Sequence, residues 1–274
     1  MPELPEVETI VRDLRPLLAG RRIVRATLSH DDVLRGTTRR RLVRRLAGKT
    51  ILQVLRRAKH AVFEFGSERL IIQPGMTGSL TVQRSPLTPE ELRYAVLRAE
   101  LDGGDELVYT DVRRLGTILL LDQKHWELYD RAIGPEPLDE NFSPERLGEA
   151  LGRSRQAVKK VIMDQRHLAG VGNIYANEAL YAAGIDPSKP ARRLGPDDHR
   201  RLHSEIRRIL TAAIRSNGTT FRDYRTGAGE PGNFQLELLV YGREGEPCRR
   251  CGTRLTGTHA IDARISVFCH RCQS

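Results

Sequence analysis

The chain has 274 residues and carries 45 Lys and Arg against 35 Asp and Glu, a formal net charge of +10 at pH 7. That length suits two domains better than one, and the basic balance points to a polyanionic partner. No apolar signal segment opens the sequence and no stretch has the length or apolarity of a membrane span, so a cytoplasmic protein with no membrane partner is expected.

Residues 1–18 read as a helix. Pro5 suits its first turn, and Val7, Ile10, Val11, Leu14, Leu17 and Leu18 recur at helical spacing before Gly20 ends it. Short β-type runs follow at 23–28, 50–55, 61–65, 70–73, 80–83, 95–101, 106–110 and 117–121. Several alternate apolar and polar residues, and turns such as Asp102-Gly103-Gly104-Asp105 separate them, the pattern of an antiparallel sandwich. After Gly134-Pro135-Glu136-Pro137, a linker by composition, the apolar period becomes helical through Val158, Val161, Ile162, Leu180, Leu202, Ile206, Ile209, Leu210 and Ala213. Residues 216–234 are Gly-rich and read as a mobile loop. The expected class is α+β: a β-sandwich domain with flanking helices over 1–134, a helical domain over 135–234 that includes the loop 216–234, and a hairpin domain over 235–274.

That last segment holds all four cysteines of the chain, spaced Cys248-x2-Cys251-x17-Cys269-x2-Cys272. Two such knuckles can turn four thiolates onto one tetrahedral Zn²⁺, a closed structural site with no position left for a catalytic water. Two redox or disulfide pairs are the alternative, one that suits small secreted scaffolds better than a chain of this size. His259 and His270 lie close enough in sequence to replace a cysteine. The charge is concentrated in two places. Ten basic residues and no acid lie between Arg35 and Lys59, and six arginines against three acids follow from Tyr241 onward. Two separated basic regions, one of them beside a cysteine hairpin, suit a phosphate backbone; a merely solvated basic face is the competing explanation.

Three further motifs bear on chemistry. Met1-Pro2-Glu3-Leu4-Pro5-Glu6-Val7-Glu8 places a small residue after the initiator, so removal of Met1 is expected to leave Pro2 with a free secondary amine. With a pKa near 8 that amine is partly neutral at pH 7, and its attack on a sugar C1′ gives an iminium directly. Glu3 stands beside it to move protons, and Glu6 falls at the border of the apolar helix face. An ordinary helix start, with proline and acids in its first turn, has the same residues. Gly170-Val171-Gly172-Asn173 combines two glycines with Asn173 as N-cap of a helix over 174–183, a nest of backbone N–H groups for one phosphate or else a plain helix connector. Gln73-Pro74-Gly75-Met76-Thr77-Gly78 and Tyr109-Thr110-Asp111-Val112-Arg113-Arg114-Leu115-Gly116 place basic and apolar tips on turns between strands, where Met76 and Leu115 read by themselves as core residues.

Together, Pro2-Glu3-Leu4-Pro5-Glu6-Val7-Glu8, Gly75-Met76-Thr77-Gly78, Gly170-Val171-Gly172-Asn173-Ile174-Tyr175-Ala176 and Val240-Tyr241-Gly242-Arg243 before the cysteine knuckles resemble the bacterial formamidopyrimidine-DNA glycosylases, in order from residue 2 to Gln273. The resemblance implies a helix–two-turns–helix domain after the sandwich and a zinc hairpin holding one structural Zn²⁺ on Cys248, Cys251, Cys269 and Cys272. It implies a monomer acting on double-stranded DNA that contains oxidised purines (8-oxoguanine, formamidopyrimidines) or abasic sites. Pro2 matches the nucleophile that forms a Schiff base with deoxyribose, followed by β- and δ-elimination, and Glu3 matches the catalytic carboxylate. Lys59, Asn173, Tyr241 and Arg264 match phosphate contacts flanking the lesion. Met76, Arg113 and Leu115 match the trio that fills the space vacated by an extruded base. Residues 218–224, with Arg222, resemble a lid over that base, and Glu6 and Glu178 are supporting carboxylates.

The sequence departs from the family at Leu115, where Phe is usual, at Gln73-Pro74 in place of His-Leu, at Val112 in place of Pro, and around Arg93-Tyr94, where a His-rich turn is missing. Endonuclease VIII-type glycosylases for oxidised pyrimidines begin Pro-Glu-Gly-Pro, so Leu4 and Val7 favour the purine branch. The rival from another class is a zinc-ribbon DNA-binding protein without catalysis.

Overall fold

In the computed structural model, which describes residues 1–152, 154–220 and 224–274, the apolar stripe of the first residues becomes helix α1 (Leu4–Leu18). Its buried face holds Val7, Ile10, Val11, Leu14 and Leu18. Glu3 is the N-cap, and its backbone N–H donates to the Glu6 carboxylate at 2.8 Å, closing a capping box that satisfies N–H groups the first turn would leave orphaned.

Two four-stranded antiparallel sheets follow. One has the order β1 (Ile23–Leu28), β6 (Ala95–Leu101), β7 (Glu106–Asp111), β5 (Gly78–Gln83); the other runs β2 (Gln53–Arg57), β3 (His60–Glu64), β4 (Glu68–Gln73), β8 (Thr117–Asp122). Alternate residues such as Leu97, Ala99 and Leu101 of β6, Leu107 and Tyr109 of β7, and Ala61 and Phe63 of β3 meet in one apolar core, the period-two pattern of a sandwich with one face inward. Helix α1 packs on β2, β3 and β5, drawing the chain start toward the ends of these strands.

The expected strands at 23–28 and 95–101 form over those residues, while 50–55 shifts to Gln53–Arg57. Ile51 is drawn off by its own backbone pairs: its N–H donates to the Arg21 carbonyl and its carbonyl accepts from Gly20, each at 2.8 Å. Three helices were not expected. Helix α2 (Arg39–Leu46) buries only Leu42 and Leu46, four apart, beneath five arginines that read as a charge run. Neither α3 (Pro89–Tyr94) nor α4 (Gln123–Arg131) buries a residue, so neither shows an apolar stripe.

The chain separates into two units, Met1–Arg131 with Ser216–Gln235, and Ala132–Arg215 with Leu236–Ser274. The segment 216–234, assigned by composition to the middle domain, packs in the first unit instead. Tyr224 enters the sandwich core, and the Ala228 N–H donates to Asp13 of α1 at 3.2 Å. The cysteine hairpin, expected as a third domain, shares the second unit with helices α5 (Pro144–Leu151), α6 (Val158–Met163), α7 (Asn173–Ala183) and α8 (Pro196–Arg215). Tyr181 of α7 lies in one apolar cluster with Val240, Cys248, Leu255, Val267 and Cys269, which explains the joining. Strands β9 (Thr256–Thr258) and β10 (Ser266–Phe268) pair antiparallel in that hairpin. Among the described residues no helix is long and apolar enough to cross a membrane.

Candidate active site and metal centre

In the first unit the chain start meets three turns. The amine of Met1, one residue ahead of Pro2, feels the charges of Glu3, Glu6, Lys59 and Arg113, and its pKa is lowered from 8.0, chiefly by burial, with the two carboxylates pulling it back up. Pro2 is buried, and Glu3 and Glu6 are only 4% and 2% exposed. One Glu6 oxygen closes the capping box and the other accepts the Thr219 backbone N–H at 2.8 Å, so both are fixed by amides. The Tyr224 hydroxyl donates to the Glu6 carbonyl at 3.2 Å. Arg222, expected on this loop, lies outside the described residues.

Lys59 is buried in the two-residue turn between β2 and β3, after Ala58 at φ +52°. Arg56 braces that turn, its guanidinium donating to the Ala58 carbonyl at 3.0 Å and to Glu8 of α1 at 2.9 Å. Glu8 thus ties the Lys59 turn to the helix that carries Glu3. His60, the next residue, is buried against Tyr129 of α4, and desolvation above all pulls its imidazole down to about 4.

The expected wedge residues are exposed. Met76 is 46% and Leu115 53% accessible, and Arg113 is exposed as well, so the core reading of Met76 and Leu115 does not hold. Met76 sits on the β4–β5 turn, and Arg113 and Leu115 on the β7–β8 turn. Buried Asp111 joins the two turns: its carboxylate accepts from the Thr77 hydroxyl at 2.5 Å, the Tyr109 hydroxyl at 3.1 Å and the Gly116 N–H at 2.8 Å. Burial, and then the Asp111 charge, push the Tyr109 phenol up, keeping it a donor at neutral pH.

In the second unit, Gly172 and not Asn173 is the N-cap of α7; Asn173 is the first helical residue. The short side chain expected to cap is needed elsewhere, because the Asn173 side-chain oxygen accepts from Asn177 at 3.3 Å. Gln165 sets the turn ahead of the helix, accepting the Gly170 N–H at 2.8 Å and donating to the Val171 carbonyl at 2.9 Å. Gly170 takes φ +79°, which L side chains rarely adopt.

Glu178 is buried on α7 and accepts three consecutive backbone N–H groups, from Leu239 and Val240 at 2.9 Å and Tyr241 at 2.8 Å. Burial pushes its carboxyl up, and these three donors oppose the shift. Tyr241 is therefore held through its backbone, with the side chain half-buried. Arg264 is exposed at the hairpin, two residues past Asp262, whose carboxylate accepts the Arg264 N–H at 3.2 Å. The hairpin behind it is pinned by Lys159, whose buried ammonium donates to the Ile265 carbonyl at 2.8 Å and the Ser266 hydroxyl at 2.7 Å. Asn177 adds an acceptor for the Val267 N–H at 2.8 Å. Asp111, Lys159 and Asn177 had no assigned part in the sequence reading. The one signal for Lys159 is a lysine inside the apolar run Val158-Lys159-Lys160-Val161-Ile162.

The four cysteine sulfurs lie within 4.8 Å of one another, with Cys248–Cys272 at 3.9 Å and Cys251–Cys269 at 3.5 Å. Tetrahedral Zn²⁺ with Zn–S bonds of about 2.3 Å needs sulfurs about 3.8 Å apart. All four cysteines are free thiols, so the disulfide alternative does not hold and the donor set fits one soft, tetrahedral ion. Neither His259 nor His270 belongs to the cluster.

Residues 1–118 match the Formamidopyrimidine-DNA glycosylase N-terminal domain, and residues 133–225 match the Formamidopyrimidine-DNA glycosylase H2TH domain. The formamidopyrimidine-DNA glycosylases of Stutzerimonas stutzeri and Pseudomonas aeruginosa are 45% and 46% identical over 275 residues, covering 100% of this chain and of each relative. Wild-type Lactococcus lactis Fpg in complex with N7-benzyl-Fapy-dG DNA is similar with a TM-score of 0.89 at 34% identity, over 100% of both chains. The Lactococcus lactis complex with abasic-site DNA gives a TM-score of 0.88 at 34% identity over 99% of each. With the amine-centred first unit, the H2TH helices and the four-thiol hairpin all accounted for by these matches, the chain belongs to the formamidopyrimidine-DNA glycosylase family.

Proposed function

We propose that this protein excises oxidised purines from duplex DNA and then cleaves the strand at the resulting sugar. Removal of Met1 exposes the Pro2 amine. Its lone pair attacks C1′ of the damaged nucleotide, the bond from C1′ to the base breaks, and the base leaves with a proton. Opening of the sugar ring gives an iminium between Pro2 and C1′. That cation acidifies the C2′ proton, so its loss expels the 3′ phosphate, and a second elimination expels the 5′ phosphate. Glu3 manages the protons at the sugar.

The observation that carries this reading is the chain start itself: Pro2, Glu3, Glu6 and Lys59 are buried, and the charges of Glu3, Glu6, Lys59 and Arg113 act on the amine of Met1, whose removal leaves the Pro2 amine next to the same groups. Lys59, Asn173, Tyr241 and Arg264 grip phosphates, and Met76, Arg113 and Leu115 enter the duplex; exposure of apolar Met76 and Leu115 on turns supports the wedge. Glu6 and Glu178 act by holding backbone. Cys248, Cys251, Cys269 and Cys272 hold one Zn²⁺, which cross-links the hairpin and takes no part in the chemistry. The Lactococcus relatives bind DNA with a Fapy-dG lesion or an abasic site, the substrate class proposed here. One chain carries amine, wedge and phosphate contacts, so a monomer working on chromosomal DNA in the cytoplasm suffices.

Borohydride trapping with a duplex containing 8-oxoguanine tests the proposal. The expected result is a covalent adduct at Pro2, lost when intact mass shows Met1 retained, because an acylated proline nitrogen is no nucleophile. A protein that binds the duplex and leaves no adduct would be a pure binder. Glu3→Gln should lose excision and keep binding; normal excision by that variant would remove Glu3 from the mechanism.

A further inference from the structure

The Met76 turn and the Arg113–Leu115 turn are separated by more than thirty residues of sequence, yet one buried carboxylate ties them together. Asp111, the last residue of β7, is 1% exposed. One of its oxygens accepts the Thr77 hydroxyl from the residue after Met76, at 2.5 Å. The other accepts the Gly116 N–H, from the residue after Leu115, at 2.8 Å, and the Tyr109 hydroxyl at 3.1 Å. Thr77 closes the loop by accepting the Arg113 N–H on its own hydroxyl oxygen at 3.0 Å. The two turns therefore share a ring of hydrogen bonds that passes on from Asp111 to Thr77 to Arg113.

The backbones beneath that ring admit no slack. A Cβ on Gly75 would lie 2.5 Å from an Asp111 carboxylate oxygen and 2.6 Å from the Gly116 nitrogen, and one on Gly116 would overlap the Tyr109 hydroxyl. Arg114 takes φ +50°, and its guanidinium donates to Asp32 at 2.7 Å, anchoring the outer side of the same turn. A carboxylate is the side chain that can accept from three donors while bringing none of its own. Met76 and Leu115 stand exposed above this rigid base.

We propose that Asp111, acting through Thr77, is a positioning residue that locks the two turns into one body, so that Met76, Arg113 and Leu115 enter the duplex together. This rests on the wedge role of that trio. Independent turns would have to be ordered separately as the base leaves, whereas the locked pair is ordered in advance.

The test uses the full-length protein and a duplex carrying 8-oxoguanine beside 2-aminopurine, whose fluorescence reports base extrusion. A preformed abasic duplex, read by borohydride trapping, needs no extrusion. Thr77→Val keeps the shape and removes the hydroxyl; Thr77→Ser restores the hydroxyl; Asp111→Ala removes the hub. Thr77→Val and Asp111→Ala should slow extrusion on the order of tenfold to a hundredfold, the scale of a small misplacement. Trapping on the abasic duplex should change far less, and Thr77→Ser should extrude at nearly the wild-type rate. Leu115→Ala separates the two levels of the argument. If Leu115→Ala slows extrusion and Thr77→Val does not, the coupling is refuted while the wedge stands. If neither slows it, the wedge role fails and the coupling with it. If Thr77→Val slows both substrates in proportion to a lowered Tm, Thr77 is merely structural and the proposal is overturned.

Discussion

Glu6 and Thr219 stand 213 positions apart, yet the Thr219 backbone N–H donates to the Glu6 carboxylate at 2.8 Å, while the second Glu6 oxygen holds the Glu3 N–H at 2.8 Å. One buried side chain thus sets both the residue beside the amine and the loop that begins at Gly218. Gln at this position offers one oxygen for two N–H donors. Glu6→Gln is expected to lose one charge-assisted bond, costing about 2 kcal/mol, and to slow excision through disturbance of Glu3. Denaturation and single-turnover kinetics on the same variant check it; unchanged values for both would show that the two donors find other acceptors.

His60 makes the first unit sensitive to acid. Its folded pKa, about 4 in place of 6.5, is depressed first by burial and then by the Lys59 and Arg57 charges, while a backbone bond with Arg57 and the Gln73 side chain oppose the shift. The unfolded chain binds a proton in this window that the folded chain refuses, so the contribution is full above pH 6.5 and is lost as pH falls toward 4. The loss approaches about 3 kcal/mol at 1.36 kcal/mol per pH unit. Urea midpoints at pH 7, 5.5 and 4 should fall less steeply for His60→Gln than for the wild type.

Leu115→Ala should leave Tm nearly unchanged, since the side chain is 53% exposed and no cavity forms. It should lower the rate on duplex lesions and affect an abasic duplex less. Leu115→Phe should tighten binding to undamaged duplex, because a ring buries more apolar surface at about 25 cal/mol per Å² and also stacks, worth about 1–3 kcal/mol per base. A large fall in Tm for Leu115→Ala would contradict the exposed position.

Arg264→Ala should weaken DNA binding alike for all sequences and reduce the slope of log K against log salt by about 0.9 for the lost phosphate contact. Lys59→Ala should behave in the same way. Asn173 is neutral, so Asn173→Ala should cost affinity with little change in slope. Titrations at several salt concentrations separate the three, and an unchanged slope for Arg264→Ala would mean that its charge faces solvent in the complex.

Elemental analysis should find one zinc per chain. Cys248→Ser should lose the metal and loosen the hairpin that carries Arg264, because the metal's binding energy is also folding energy for its ligands' turns. A metal-free protein that binds DNA with wild-type affinity would rule out this role for the cluster.

Much of the site was legible in the residues by themselves. Strict cysteine spacing brings the thiols together because each knuckle is a local turn, and α1 is a local amphipathic repeat with its own capping box. The strands at 23–28 and 95–101 needed only their alternation. Where burial is sparse the pattern faded: α2 shows two leucines among arginines, and α4 buries nothing. Three results were decided only by the tertiary structure. Met76 and Leu115 look like core residues as letters, and only the close packing of Gly75 against Gly116 beneath them turns both outward. Segment 216–234 reads as a mobile loop, and its place beside α1 depends on a Glu6 oxygen that accepts the Thr219 N–H. What Asp111 and Lys159 hold is not legible in the sequence, because Asp111 joins Thr77, 34 positions away, to Gly116, and Lys159 reaches the Ile265 carbonyl and the Ser266 hydroxyl, more than 100 positions on. Local periodicity and spacing follow from the chain's own geometry, whereas the satisfaction of buried polar groups depends on which distant backbone arrives beside them.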